Sequence, residues 1–347
     1  CWVEDSRLVL LNILDAEKRG AKAFSYSKVT NIQRKNGQWL VSIKSKEKSF
    51  EVKTKVLINT MGPWVNSLSQ LEKNKKNQVT VRLIKGSHIV VKKLFNHNSA
   101  YIFQGKDGRI IFSIPYENDY TLIGTTEVEH KQGDEVKCSD EEKDYLCNFA
   151  SDYFQRKITK KDIIWDYSGV RALYEKRNVK ARNASRDYSL ELEENEGAVL
   201  LTVYGGKITT YRKLAEKAVS KITSFLKLQR MEWTSTKHLP GGDFKLQDKQ
   251  KLIRAMLKKY KFLNRRWAER LFKTFGSDVE KVLGGAKTKK DLGKDFGFDL
   301  TEKEVLWYIN QEHVKCVEDL IWRRSKLGLR LSGKQIRELN SYIKELN

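Results

Sequence analysis

No stretch of this sequence approaches the ~18–20 consecutive apolar residues that a membrane-spanning helix needs. Internal repeats and low-complexity tracts are also missing, which sets aside solenoid and compositionally biased architectures. Cysteine is scarce. Cys1, Cys138, Cys147 and Cys316 show no C-x-x-C or other metal-ligand spacing, so no metal site is expected. With no secretory leader in view, they point to a reducing compartment, and a cytoplasmic location is expected. G-x-G-x-x-G, the usual dinucleotide-binding fingerprint, is absent. The chain opens on Cys1, in mid-pattern and without methionine, which reads as a fragment or a processed start.

Positive charge is what the chain has in excess. Lys+Arg number 67 against 44 Asp+Glu, a formal net charge of +23. Such an excess suits nucleic acid, an anionic membrane surface or an acidic substrate. Here it is spread along the whole chain without one dense basic block, so a generally lysine-rich surface is the preferred reading and no nucleic-acid partner is expected. The 347 residues suggest about two domains on a prior of ~150 residues each, enough to bury a sizeable core. A hydrophobic content of 39%, with 8 Trp, 14 Tyr and 14 Phe, belongs to a folded protein.

Local patterns place the elements. A helix is expected through Leu8, Leu11, Ile13, Leu14 and Ala16, with Asp5 or Ser6 as cap and Gly20 as stop. Strands are expected at 24–32 and 39–43, joined by the turn Lys35-Asn36-Gly37, and a third at 50–58. Asn59-Thr60-Met61-Gly62-Pro63-Trp64 then turns into a short helix with Pro63 as its first residue. A lysine-rich loop at 73–77 marks a boundary. Strands follow at 79–83, 88–91, 101–103, 109–114 and 120–124, the first two flanking Lys85-Gly86-Ser87; their short connections imply an antiparallel sheet. Residues 139–154 read as a helix. Pro240-Gly241-Gly242 marks a second boundary. Helical spacing then recurs at 248–260, 265–275, 279–283, 301–312, 316–327 and 332–346, with a capping box at Thr301–Glu304 and Trp307, Leu320 and Trp322 as bundle core.

One stretch, 198–226, combines a buried apolar strand, the turn Gly205-Gly206-Lys207 and an amphipathic helix. Glycines let a ligand approach the backbone, and a helix start favours an anionic or electron-rich group. Lys207 adds a full charge there, and Thr209 and Thr210 add hydroxyls. An ordinary strand–helix turn with a solvated lysine explains the same residues. Upstream, Arg171 follows Tyr167-Ser168-Gly169-Val170, and Arg186 precedes Asp187-Tyr188. The two arginines and Lys207 can converge on one phosphate or carboxylate, since the guanidinium fork bonds two oxygens at once. Surface arginines in weak exposed pairs are the equal alternative.

Taken together, these pieces resemble the flavin-dependent glycerol-3-phosphate dehydrogenase family, which includes the α-glycerophosphate oxidases. The resemblance rests on VEDSRLVLLNILDAEKRGA (3–21), INTMGPWV (58–65), VRLIKGSHIVV (81–91), IPYENDYTLIGTTE (114–127), YSGVRALY (167–174), SRDYSLEL (185–192) and VYGGKITTYRKLAE (203–216), with the tail EVLWYINQEHVKCVEDLIWRRSKLGLRLS (304–332). It implies an α/β (α+β) fold. A partial glutathione-reductase-like FAD-binding domain would occupy 1–75, an antiparallel-sheet substrate domain 76–165, a return to the flavin and substrate site 166–235, and an all-helical C-terminal domain 236–347. It also implies FAD as cofactor and oxidation of sn-glycerol 3-phosphate to dihydroxyacetone phosphate by hydride transfer to the flavin. Electrons would pass to quinone, or to oxygen in the oxidase branch.

Carried over by motif, Arg171 and Arg186 would hold the substrate phosphate. Lys207 would bind substrate and steady negative charge beside the flavin. Gly205, Gly206, Ile208 and Thr209 would line the pyrimidine end, Val29 would meet the adenine end, and Thr60 and Gly62 would lie near the pyrophosphate and ribityl side. His88 would either take the proton of the substrate hydroxyl or hydrogen-bond the flavin or its own loop. The family's N-terminal strand–GxGxxG–helix is not in this sequence, so an incomplete portion of the enzyme is expected. Peripheral attachment to the inner face of the cell membrane and a homodimer are both compatible. Two other readings remain: a related flavin-dependent amine or hydroxy-acid oxidase, and an inactive remnant or basic interaction module.

Overall fold

The computed structural model describes residues 3–46, 48–72, 81–105, 107–174, 188–229 and 232–346. Two compact units emerge, one of Tyr26–Glu232 and one of Cys1–Ser25 with Trp233–Asn347. Helix α1 (Asp5–Lys18) therefore groups with the C-terminal residues and not with the strands that follow it in sequence. Buried polar anchors are the reason. The Arg7 guanidinium lies 2.5 Å from Glu312 and donates to the Thr274 carbonyl at 2.9 Å, and Glu17 meets His313 at 2.9 Å. Apolar spacing shows which face of a helix is buried but not against what.

The larger unit begins with the antiparallel meander β1 (Lys28–Lys35), β2 (Gln38–Lys44) and β3 (Ser49–Thr54). Its first turn has Asn36 and Gly37 at φ of +51° and +74°, as a tight hairpin requires. Trp39 is fully buried and donates its indole N–H to the Val199 carbonyl at 2.8 Å. The strand expected over 50–58 is two strands. β4 (Val56–Asn59) leaves the meander at Lys55, whose carbonyl accepts from Val199 N–H. After it come the short helix α2 (Ser67–Leu71) and β5 (Val81–Lys92).

β5 is a second correction. It is one continuous 12-residue strand, not two strands flanking Lys85-Gly86-Ser87. Gly86 stays in register opposite Gly169, and Ser87 N–H donates to Thr126 Oγ1 at 2.9 Å. The glycine serves close packing. β6 (Tyr101–Gln104), β7 (Ile110–Tyr116), β8 (Tyr120–Gly124) and β9 (Val128–Glu129) follow, then α3 (Asp140–Tyr153) and β10 (Ile163–Tyr174). The antiparallel sheet has the order β10-β5-β8-β7-β6, with β9 also paired to β5. One face is closed by α3, where Leu146, Phe149 and Ala150 meet Ile89, Ile111 and Ile123. Strand alternation puts His88, Gly86, Ile84 and Arg82 on the opposite face. Ser139 and Glu142 form a reciprocal capping box that starts α3.

A third sheet, in the order β11-β12-β4, joins β11 (Ser189–Asn195) and β12 (Ala198–Tyr204) to β4, with β12 and β4 parallel. Every residue of β12 is buried. A single 3₁₀ turn, Ile208–Thr210, then leads into α4 (Tyr211–Leu226), whose Ala218 and Ile222 pack on Leu201.

In the smaller unit, α1 is joined by α5 (Lys249–Lys259), α6 (Arg265–Phe275), α7 (Val279–Leu283), α8 (Glu302–Gln311) and α9 (Gly333–Leu346). Its core holds Trp267, Tyr260, Tyr308 and Leu320, with Trp307 and Trp322 packed at its margin. Residues 316–327 are not one regular helix. A π-helical turn occupies Asp319–Arg324, and the Arg324 guanidinium donates to the Glu312 carbonyl with its Nε at 2.9 Å. Among the described residues no helix is long and apolar enough to cross a membrane.

Candidate active site

The parallel strands β4 and β12 run in the same direction and end in glycine turns. In open α/β sheets the space outside such carboxyl ends is where ligands bind. After β4, the Asn59 side chain shapes the turn: its Nδ2 donates to the Val65 carbonyl at 2.9 Å and its Oδ1 accepts from Met61 N–H at 3.2 Å. Gly62 then adopts φ +54°. After β12, Gly205 and Gly206 stand at +69° and +108°, conformations that side-chain-bearing residues rarely adopt. Between these turns and the antiparallel sheet lies a cleft of about 710 Å3, wholly within the larger unit.

The cleft wall is strongly charged. Arg82, Arg109, Arg171 and Lys207 face it, as do Glu127 and Glu129. Arg171 on β10 sits opposite Ile84 on β5. Its two terminal nitrogens lie 3.3 Å from Glu127 Oε1 and 3.3 Å from Thr125 Oγ1. Gly86 makes this arrangement feasible, because a Cβ there would come within 2.5 Å of Thr125 Oγ1 and 2.8 Å of the guanidinium. Arg82 donates its Nε to Glu129 at 2.6 Å. Arg109 lies beside Asp107 at 3.3 Å and over the Tyr145 ring.

Behind the wall, a buried carboxylate braces the strands. Glu142 accepts from Ser87 Oγ at 2.8 Å, Thr126 Oγ1 at 2.7 Å and Ser139 N–H at 2.9 Å, and lies 2.8 Å from Lys85 Nζ. Burial alone pushes its carboxyl group up, but Lys85 and the three other donors outweigh it and hold the group down at about 2. The network ties β5 to the Thr125-Thr126 segment that contacts Arg171.

Of the residues singled out by sequence, the cleft brings together Gly62, Arg171, Gly205, Gly206 and Lys207. Thr60 is exposed two residues before Gly62. Ile208 and Thr209 form the exposed 3₁₀ turn just beyond Lys207. Val29 is half-buried and packs with Ile32, Trp39 and Val41 in the meander. His88 is stacked on Tyr167, with centroids 5.0 Å apart, and fills the space that a Cβ on Gly124 would take. Arg186 lies outside the described residues. Sequence reasoning missed Arg82, Arg109, Glu127 and Glu129. For Arg82 a signal existed: it alternates in phase with Gly86 and His88 within VRLIKGSHIVV.

Comparison with known proteins adds to this geometry. Residues 1–212 match the family model described as FAD dependent oxidoreductase, and residues 233–343 match that of the C-terminal domain of alpha-glycerophosphate oxidase. The aerobic glycerol-3-phosphate dehydrogenase of Escherichia coli (strain K12) is 37% identical over 350 residues, covering 99% of this chain and 70% of the relative. The glycerol-3-phosphate dehydrogenase of Pseudomonas aeruginosa is 37% identical over 99% of this chain and 67% of its own length. The glycerol-3-phosphate dehydrogenase from Bacillus halodurans, crystallised with FAD, aligns with a TM-score of 0.83 at 27% identity, covering 98% of this chain and 68% of that one.

Proposed function

The chain belongs to the FAD-dependent oxidoreductases, in the family of the glycerol-3-phosphate dehydrogenases, and from that premise we propose that it carries out the oxidation of sn-glycerol 3-phosphate to dihydroxyacetone phosphate. FAD held in this cleft would supply the hydride acceptor for C2 of the substrate. The observation that carries this reading is that Arg171 and Lys207 share one cleft with the glycine turns of two parallel strands. The turn after β4 suits a flat cofactor, since an added Cβ at Gly62 would point into open space and the backbone is bare there for close approach.

In this reading Arg171 binds the phosphate through its planar fork, with Arg186 as its second arginine. Lys207 holds the substrate and offsets negative charge at the pyrimidine side of the cofactor. Gly205, Gly206, Ile208 and Thr209 lie along that side, Thr60 and Gly62 along the ribityl and pyrophosphate side, and Val29 toward the adenine. For His88, on the same sheet face as Ile84 and Gly86 and stacked on Tyr167, the two roles are taking the proton of the C2 hydroxyl and hydrogen-bonding the cofactor or its own loop. Electrons leave to a membrane quinone, with the protein at the inner face of the cell membrane. Its net charge of +23 supports contact with anionic lipid.

The test is anaerobic addition of glycerol 3-phosphate to the FAD-loaded chain. Loss of flavin absorbance is expected, with Arg171→Gln needing at least about tenfold more substrate to reach half-reduction. Equal bleaching by unphosphorylated glycerol, or an unchanged concentration dependence in Arg171→Gln, would overturn the reading.

A further inference from the structure

Glu142 gathers three hydroxyls behind the antiparallel sheet, two directly and one through Ser87. Its Oε1 accepts from both Ser87 Oγ at 2.8 Å and Thr126 Oγ1 at 2.7 Å, and Ser87 Oγ lies 2.7 Å from Ser168 Oγ. One buried oxygen thus reaches β5, β10 and the segment between β8 and β9. Each of the three residues adjoins one that matters on the other side. His88 follows Ser87 and stacks on Tyr167, which precedes Ser168. Thr125 precedes Thr126 and contacts Arg171.

The step from the carboxylate to Arg171 is short. Thr126 is pinned on several sides: its hydroxyl donates to Glu142 and accepts from Ser87 N–H at 2.9 Å, and its own N–H donates to the Ser87 carbonyl at 3.2 Å. Thr125 Oγ1 donates to the Thr126 carbonyl at 3.0 Å, which leaves a lone pair for the Arg171 guanidinium at 3.3 Å. The packing over Gly86 is close, since a Cβ there would come within 2.5 Å of Thr125 Oγ1, 2.8 Å of the guanidinium and 3.1 Å of the Thr126 carbonyl. A shift of the Thr125-Thr126 backbone therefore shifts the guanidinium as well.

We propose that Glu142 is a positioning residue for the anion site: by holding Thr126 it sets where Arg171 stands, without touching the ligand itself. The inference rests on the reading of Arg171 as the phosphate ligand.

The experiment is isothermal titration of the purified, FAD-incubated chain with glycerol 3-phosphate and with inorganic phosphate, with urea unfolding of each variant alongside. Wild type, Glu142→Gln, Thr126→Val, Thr126→Ser and Arg171→Gln are compared. Glu142→Gln and Thr126→Val are each expected to weaken both anions about fivefold, the worth of one hydrogen bond. Thr126→Ser, which keeps the hydroxyl, should restore wild-type affinity. Arg171→Gln is expected to lose most of the binding. If Glu142→Gln does not fold, the two threonine variants decide. A carboxylate that serves stability alone would lower the urea midpoint and leave affinity unchanged. That result, or a loss in Thr126→Val that Thr126→Ser shares, together with loss in Arg171→Gln, would refute the positioning role and leave the phosphate reading standing. Wild-type affinity in Arg171→Gln would overturn both.

Discussion

Replacing Glu142 by Gln removes a charge that the larger unit is built to keep. The side chain is buried, and four donors converge on its carboxylate: Lys85, Ser139 N–H, Thr126 and Ser87. They hold the group at about 2 against an ordinary value of 4.5. That difference corresponds to about 3 kcal/mol of stability. Because the folded-state value is depressed, the contribution is present in full above about pH 4.5 and disappears as the pH falls toward 2. Glu142→Gln should therefore be destabilised by about 3 kcal/mol at pH 6. The gap from wild type should close on acidification, since a protonated Glu and a Gln are nearly alike. Equilibrium urea unfolding at several pH values from 6 to about 2.5 measures the gap directly. A gap that stays constant over this range would refute the reasoning, for the stabilisation would then come from shape and not from charge.

Two further outcomes follow from the same geometry. Gly86→Ala places a methyl group 2.5 Å from Thr125 Oγ1 and 2.8 Å from the Arg171 guanidinium, so both must shift, and titration with glycerol 3-phosphate should show binding weakened about tenfold, the worth of one charge-assisted bond. In the helical unit, Arg270 donates to Glu304 at 2.6 and 2.8 Å and to the Asp299 carbonyl at 2.8 Å. Arg270→Met strands a buried carboxylate and should cost about 3–5 kcal/mol in denaturant unfolding, part of which the second change Glu304→Leu restores.

Much of the local structure was legible. Asn36-Gly37 announced a hairpin because only residues tolerant of positive φ close so tight a turn. The run from Ala198 to Leu226 showed its strand, glycine turn and helix through periodicity alone. The antiparallel sheet beyond residue 80 was readable from short connections. The segment 81–92 was split at Lys85-Gly86-Ser87 because a glycine between polar residues weakens the strand pattern, whereas here it accommodates a side chain from another strand. The break between β3 and β4 was hidden for a similar reason: both halves have strand character, and only their pairing separates them.

The sequence by itself determined the elements that depend on neighbours a few residues apart, and its motifs singled out Arg171, Lys207 and the glycines of the candidate site. The tertiary structure alone decided what each surface meets. It set α1 against the C-terminal helices, made β4 the parallel partner of β12, and put Glu127 against Arg171 and Glu129 against Arg82. Those contacts join residues tens to hundreds of positions apart, beyond the reach of helix or strand periodicity. They are selected by burial and charge pairing only once the whole chain has collapsed.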